Sequence, residues 1–175
     1  CTWSEVDQAT HPFGLATPSG FISSTGVGGL TLGGGIGYLS RTLGLTIDNL
    51  LGVDMVLADG SFVTASAQEH ADLFWAVRGG GGNFGVVTSF EYRLHKLGPE
   101  VLAGLIVYPI EQARQVFEGY RAFTASAPDE MTAWLVMRKA PPLPFLPASV
   151  HGTEVVVLAF CWIGETSQGN ELAAH

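Results

Sequence analysis

A chain of 175 residues, 47% hydrophobic and 14% charged, can bury a sizeable core and lacks the charge-rich composition of a disordered polymer. Its formal net charge of -8 argues against nucleic acid and anionic membrane surfaces as partners, since both select clustered Lys and Arg. No run reaches the roughly 20 apolar residues that cross a bilayer, and two cysteines, Cys1 and Cys161, make neither a disulfide framework nor a metal cluster.

Along the chain, seven of the 23 glycines fall at positions 26, 28, 29, 33, 34, 35 and 37. Apolar residues then predict a strand over 51–58, and Asp59-Gly60 predicts a two-residue hairpin turn into a second strand over 61–65. Ser66-Ala67-Gln68-Glu69 fits a capping box, opening a short helix with Leu73, Phe74 and Val77 on its apolar side. Gly79 is expected to stop that helix. Five more glycines follow at 79, 80, 81, 82 and 85, and 85–94 reads as a strand.

Composition changes near residue 98, where a domain boundary is expected. Beyond it, 101–108 predicts a strand and 111–123 a helix, with Ala113, Val116, Phe117, Tyr120 and Phe123 at helical spacing. Met131, Ala133, Leu135 and Met137 alternate as one face of a strand. Four prolines make 141–147 an irregular connection, and 155–162 reads as a buried strand in which Cys161 is a small hydrophobe. No basic start followed by an apolar run opens the chain, so no secretory leader is expected and the expected compartment is the cytoplasm.

Glycine-rich backbone can approach a flat or anionic ligand closely, or it can simply make tight turns, and density alone leaves both readings open. A dinucleotide-binding unit needs Gly-x-Gly-x-x-Gly, but Gly26-Val27-Gly28-Gly29-Leu30-Thr31 ends on threonine. The hairpin that follows is antiparallel rather than a crossover. A Walker loop fails because no Gly-Lys-Ser/Thr occurs.

Gly26-Val27-Gly28-Gly29 with Leu32-Gly33-Gly34-Gly35-Ile36-Gly37, then Asp48-Asn49 and Val56-Leu57-Ala58-Asp59-Gly60, resembles the FAD-linked oxidases of the vanillyl-alcohol-oxidase superfamily. The branch is that of berberine bridge enzyme and 6-hydroxy-nicotine oxidase. The more specific hallmark is Asp72-Leu73-Phe74-Trp75-Ala76-Val77-Arg78-Gly79-Gly80-Gly81-Gly82-Asn83-Phe84-Gly85-Val86-Val87-Thr88. The resemblance implies an α+β fold, with the second half of a PCMH-type FAD-binding domain over 1–97 and the start of an antiparallel-sheet substrate domain over 98–175.

It further implies FAD as cofactor, with contacts at Ser24, Thr25, Gly28, Gly29, Leu32 and Gly35 for the ring and ribityl chain. The backbone at Val86 and Val87 would meet the nucleotide end. The implied reaction oxidises a small alcohol, sugar or amine by hydride transfer to FAD, and no catalytic residue can be named. Two departures stand out. Ile22 takes the place of the cysteine that tethers flavin in bicovalent members, and the histidine loop that makes the other link lies outside this sequence. Missing N- and C-terminal parts of the same enzyme are therefore the expected partners, besides a small-molecule substrate. The alternative is a remnant or partner-binding module that holds no flavin by itself; a flavin-free sugar-binding module is a third reading.

His11, His70, His95, His151 and His175 have no carboxylate or cysteine at catalytic spacing and are expected to be solvated surface residues. Asp48-Asn49 is expected to cap or orient the glycine loop. Phe74 and Trp75 are expected in the helix core, while Tyr38 could face a cofactor cavity or pack against a helix.

Overall fold

The computed structural model describes residues 1–174. Its first helix, α1 (Trp3–Thr10), has no apolar stripe to betray it, since Trp3 alone is buried. A cap starts it instead: the Thr2 N–H donates to the Glu5 carboxylate at 2.7 Å, which also holds that carboxyl below its ordinary range. Then come β1 (Leu15–Ala16) and two short helices, α2 (Val27–Leu32) and α3 (Ser40–Leu43).

A 3-10 turn, Thr46–Asn49, feeds β2 (Leu50–Val56), which turns back into β3 (Phe62–Ser66). The Asp59-Gly60 signal marks the right place but the wrong length. Leu57 N–H donates to the Ser61 carbonyl at 2.9 Å, so the closed loop is Ala58-Asp59-Gly60, three residues long. Asp59 Oδ1 accepts from Ser61 N–H and Oγ, which stabilises the longer loop.

The expected capping box at Ser66 is also not a helix cap. Ser66 Oγ accepts from the Gln68 and Glu69 amides, both at 3.2 Å, and makes a local turn. His70 then takes φ 46, and the helix α4 (Ala71–Gly80) starts only after it. Arg78 and Gly79 leave helical geometry, so the helix unwinds next to the expected stop. After it come β4 (Val86–Tyr92) and β5 (His95–Lys96); β5 pairs antiparallel with β1.

The sheet order is β3-β2-β4, antiparallel throughout. Leu50, Val53, Met55 and Ala65 bury one face of it against Phe74 and Val77 of α4. Trp75 corrects an expectation: it is 77% exposed, because one residue on from Phe74 lies about 100° around the helix.

The chain divides into two compact units, Cys1–Glu100 and Val101 onward. The second holds β6 (Leu102–Pro109), α5 (Ala113–Thr124), β7 (Met131–Lys139), β8 (Glu154–Trp162) and α6 (Thr166–Ala174). Its sheet is antiparallel in the order β6-β8-β7, so the most apolar strand is central. Met131, Ala133, Leu135 and Met137 pair with Trp162, Phe160, Leu158 and Val156, a single face as their alternation predicts. The Tyr120 hydroxyl fastens α5 to this sheet by donating to the Ala133 carbonyl at 2.9 Å. A cavity of about 430 Å³ lies between α5 and the sheet, lined by Tyr108, Tyr120, Phe123 and Phe160 among others. Cys161 is buried, as its setting predicts, and burial pushes its thiol pKa up.

Candidate functional site

The glycine segment is anchored at its start by backbone. Trp3 N–H donates to the Thr25 carbonyl at 3.0 Å, Ser4 N–H to Ser23 at 2.8 Å, and Val27 N–H to Cys1 at 3.0 Å. Helix α2 follows at once, with Gly26 as an N-cap that offers no side-chain acceptor. The amides of its first turn, at Gly28 and Gly29, therefore have neither an intrahelical nor a capping partner.

The far end of the segment is held from across the unit. The Gly34 and Gly35 carbonyls accept from Ile47 and Thr46 N–H, each at 3.0 Å. Asp48 and Asn49 brace the residues that make those bonds, which is the orienting role expected of them. Asp48 Oδ2 accepts from Leu45 N–H at 2.8 Å, and Asn49 Nδ2 donates to the Leu43 and Leu45 carbonyls at 2.8 and 3.0 Å. With both amide hydrogens spent, Asn49 Oδ1 must accept from His95 Nε2 at 2.6 Å, which fixes a proton on Nε2. His95 is thus no solvated bystander; it ties β5 to the turn. His151 is also half-buried, with Nε2 at 3.1 Å from the Leu146 carbonyl, whereas His11 and His70 are exposed and His175 lies outside the described residues.

Sorting the glycines by what a Cβ would meet separates those the fold requires from those it does not. At Gly37 it would strike the Ser19 carbonyl, and at Gly80 it would lie 2.6 Å from the Phe84 ring. At Gly35 it would strike Thr46 Oγ1, and φ is +76. Packing and backbone geometry account for all three. Gly29 and Gly82 are different: nothing lies within 4 Å and φ is ordinary. At Gly28 a Cβ would make only ordinary contact with the Phe90 ring, 3.6 Å away. The protein has no steric need for glycine there, and Gly29 sits within a helix, where alanine is favoured by roughly 0.5–1 kcal/mol. A molecule lying against the main chain would supply the missing reason.

The other expected contacts fall as follows. Ser24 is exposed, and Thr25 is half-buried with its carbonyl taken by Trp3. Leu32 packs its side chain on the core, as does Val87, so only main chain could serve a ligand at either. Val86 is 69% exposed at the start of β4. The Gly28–Phe90 contact brings α2 onto β4, and Val86 lies four residues back along that strand, roughly 13 Å away. Only a long ligand would touch both. Tyr38 packs edge-on against Phe21, ring centroids 4.9 Å apart.

Sequence reasoning passed over three residues here. Arg78 donates through Nε to the Ile47 carbonyl at 3.1 Å and approaches Asp48 Oδ1 at 3.5 Å. Thr46 is fully buried with no hydrogen-bond partner for Oγ1. Tyr92 meets Thr31 Oγ1 at 2.5 Å beneath α2, and burial pushes its hydroxyl up to about 12. The folded state holds that proton more tightly than the unfolded chain, whose phenol ionises near pH ~10. Its stabilising contribution is therefore complete below that pH and lost as pH rises through about 12. Tyr92→Phe is expected to flatten this alkaline loss in urea midpoints measured against pH. At neutral pH it should cost about 1–3 kcal/mol by stranding the Thr31 hydroxyl; an unchanged alkaline slope would count against the assignment.

Residues 1–66 match the family model of an FAD binding domain. An FAD-linked oxidoreductase of Dictyostelium discoideum is 44% identical over 134 residues, which are 75% of this chain and 29% of that protein. Residues 1–66 are thus a match to an FAD binding domain, and the chain is similar to FAD-linked oxidoreductases. Glucooligosaccharide oxidase of Sarocladium strictum is 42% identical over 123 residues, 70% of this chain and 24% of that one. Among solved structures, 6-hydroxy-D-nicotine oxidase from Arthrobacter nicotinovorans superposes with a TM-score of 0.84 at 28% identity, covering 99% of this chain and 37% of that chain. The resemblance and the α+β, PCMH-type fold read from the glycine motifs hold.

FAD is the cofactor named for the domain that residues 1–66 match and for the relatives, and the unclaimed amides and open glycine faces of α2 fit it. The chain spans less than a third of the length of these two curated relatives. No helix among the described residues is long and apolar enough to cross a membrane.

Proposed function

We propose that this chain supplies a longer FAD-dependent oxidoreductase with the later part of its FAD-binding domain, residues 1–97, and the opening of its substrate domain, 98–175. The remaining parts of both domains would come from the rest of the protein. The substrate is a small alcohol, sugar or amine; the similar proteins include a glucooligosaccharide oxidase and a 6-hydroxy-D-nicotine oxidase. FAD, when bound, takes the hydride and passes the electrons on; that chemistry belongs to the cofactor.

This chain's residues hold and orient. Main chain at Ser24, Thr25, Gly28, Gly29, Leu32 and Gly35 would hold the ring and ribityl chain, and the backbone at Val86 and Val87 would hold the nucleotide end. The observation that carries the reading is the pair Gly28 and Gly29, glycines at the start of a helix that the protein's own packing does not require. No catalytic base is assigned to these residues.

Gly29→Ala tests it directly. Alanine should raise the stability of the flavin-free protein by roughly 0.5–1 kcal/mol, since it enters a helix with open space around its methyl. The same methyl should weaken FAD binding by about tenfold or more, read from the visible flavin band and from fluorescence titration. A variant that binds FAD as the wild type does would remove the central support. So would a wild-type protein that takes up no flavin, either as this chain or within its full-length parent.

A further inference from the structure

We infer that Arg78 is a positioning residue for the cofactor cradle, coupling the second glycine cluster to the first. The two clusters are more than 40 residues apart in sequence, and Arg78 immediately precedes the second. Its Nε donates to the Ile47 carbonyl at 3.1 Å, while the amide of that same residue donates to the Gly34 carbonyl at 3.0 Å. Its guanidinium also approaches Asp48 Oδ1 at 3.5 Å, and the other Asp48 oxygen accepts from Leu45 N–H. One side chain thus holds Ile47 directly and Leu45 by way of Asp48, on either side of Thr46 in the strip whose amides hold Gly34 and Gly35.

The grip is built. Arg78 sits where α4 leaves helical geometry, at φ -80 and ψ 76. Its guanidinium carbon lies 5.5 Å from the Phe74 ring centroid, so a core residue of the same helix fixes the stem. An exposed Asp48 ion pair alone would be worth little. The bond to a backbone carbonyl is different, because it fixes a peptide whose N–H is already committed to the cradle. Loss of Arg78 should therefore loosen Thr46 and Ile47 while leaving the sheet intact.

The test uses amide hydrogen exchange on the flavin-free protein, comparing wild type with Arg78→Ala and Arg78→Lys. Lysine keeps the charge and most of the stem but lacks the planar fork, so it decides the matter should the alanine variant fail to fold. In either folded variant, protection at Thr46 and Ile47 should fall about tenfold relative to Val53 and Met55 in β2. An unchanged ratio, or an equal loss at all four amides, overturns the inference. The role in cofactor holding rests on the FAD reading and predicts a Kd for FAD about tenfold weaker in Arg78→Lys. An unchanged Kd alongside loosened amides overturns that role. A wild-type protein that binds no FAD would instead sink the FAD reading, and the exchange ratio would still decide whether Arg78 positions the loop.

Discussion

Gly35→Ala should abolish the cradle and take much of the first unit's stability with it. Residue 35 has φ +76, where an L side chain costs about 1–2 kcal/mol. The new methyl would also strike Thr46 Oγ1 and lie 2.6 Å from both Leu30 Cδ2 and Thr46 Cβ. Thr46 is fully buried and cannot swing aside, so overpacking adds about 1–3 kcal/mol. Together these predict a fall in melting temperature of roughly 10–25 °C for a unit of this size. Thr46→Ala on the same background should recover little, because Cβ of residue 46 would still collide. Circular dichroism melts decide this, and a shift of only a degree or two would show that the loop has slack the geometry does not reveal. The contrast with Gly29→Ala is the informative part. One glycine is required by the protein and the other is not, so one substitution should destroy stability and binding together while the other separates them.

That distinction was invisible in the sequence, and its invisibility has a physical cause. Clustering flagged the glycine segment, since so many flexible residues together need a reason. But the reason for each glycine lies elsewhere: Thr46 for Gly35, Ser19 for Gly37, the Val56 carbonyl for Gly85. The strands were legible because apolar runs and turn signals are local, and β2, β3 and β8 fall within a residue or two of where they place them. The helices that build the site were not. In α2, two glycines oppose helix formation, and packing against α4 together with the Thr31–Tyr92 hydrogen bond overrides them. In α1, the cap and the backbone bonds to residues 23–25 stand in for an apolar stripe. His95 looked like an ordinary surface residue and Arg78 drew no role of its own, because each acts on a turn more than 30 residues away. Trp75 failed the other way: hydrophobicity placed it in the core, and helical geometry turns it outward.

The second large effect is expected from Trp3, which precedes every motif and carries none. Its side chain is 1% exposed, with its ring centroid 5.7 Å from that of Tyr92. Its backbone N–H holds Thr25 at the entrance to the glycine segment. Truncation to alanine removes a large buried ring and leaves a void, at about 3–5 kcal/mol. Against the lower end of the roughly 5–15 kcal/mol of a typical domain, that is enough to leave a measurable unfolded fraction at ambient temperature. Trp3→Phe should behave differently. The indole Nε1 is buried without a hydrogen-bond partner, so the wild-type ring already bears a desolvation cost of about 1–3 kcal/mol. Phenylalanine removes that cost while losing some volume, and the two changes should nearly cancel. Urea denaturation of both variants separates the cases. A phenylalanine variant as unstable as the alanine one would mean that the indole N–H has a partner, such as an ordered water. In that event Trp3 would hold the entrance to the cradle through a polar bridge as well as through packing.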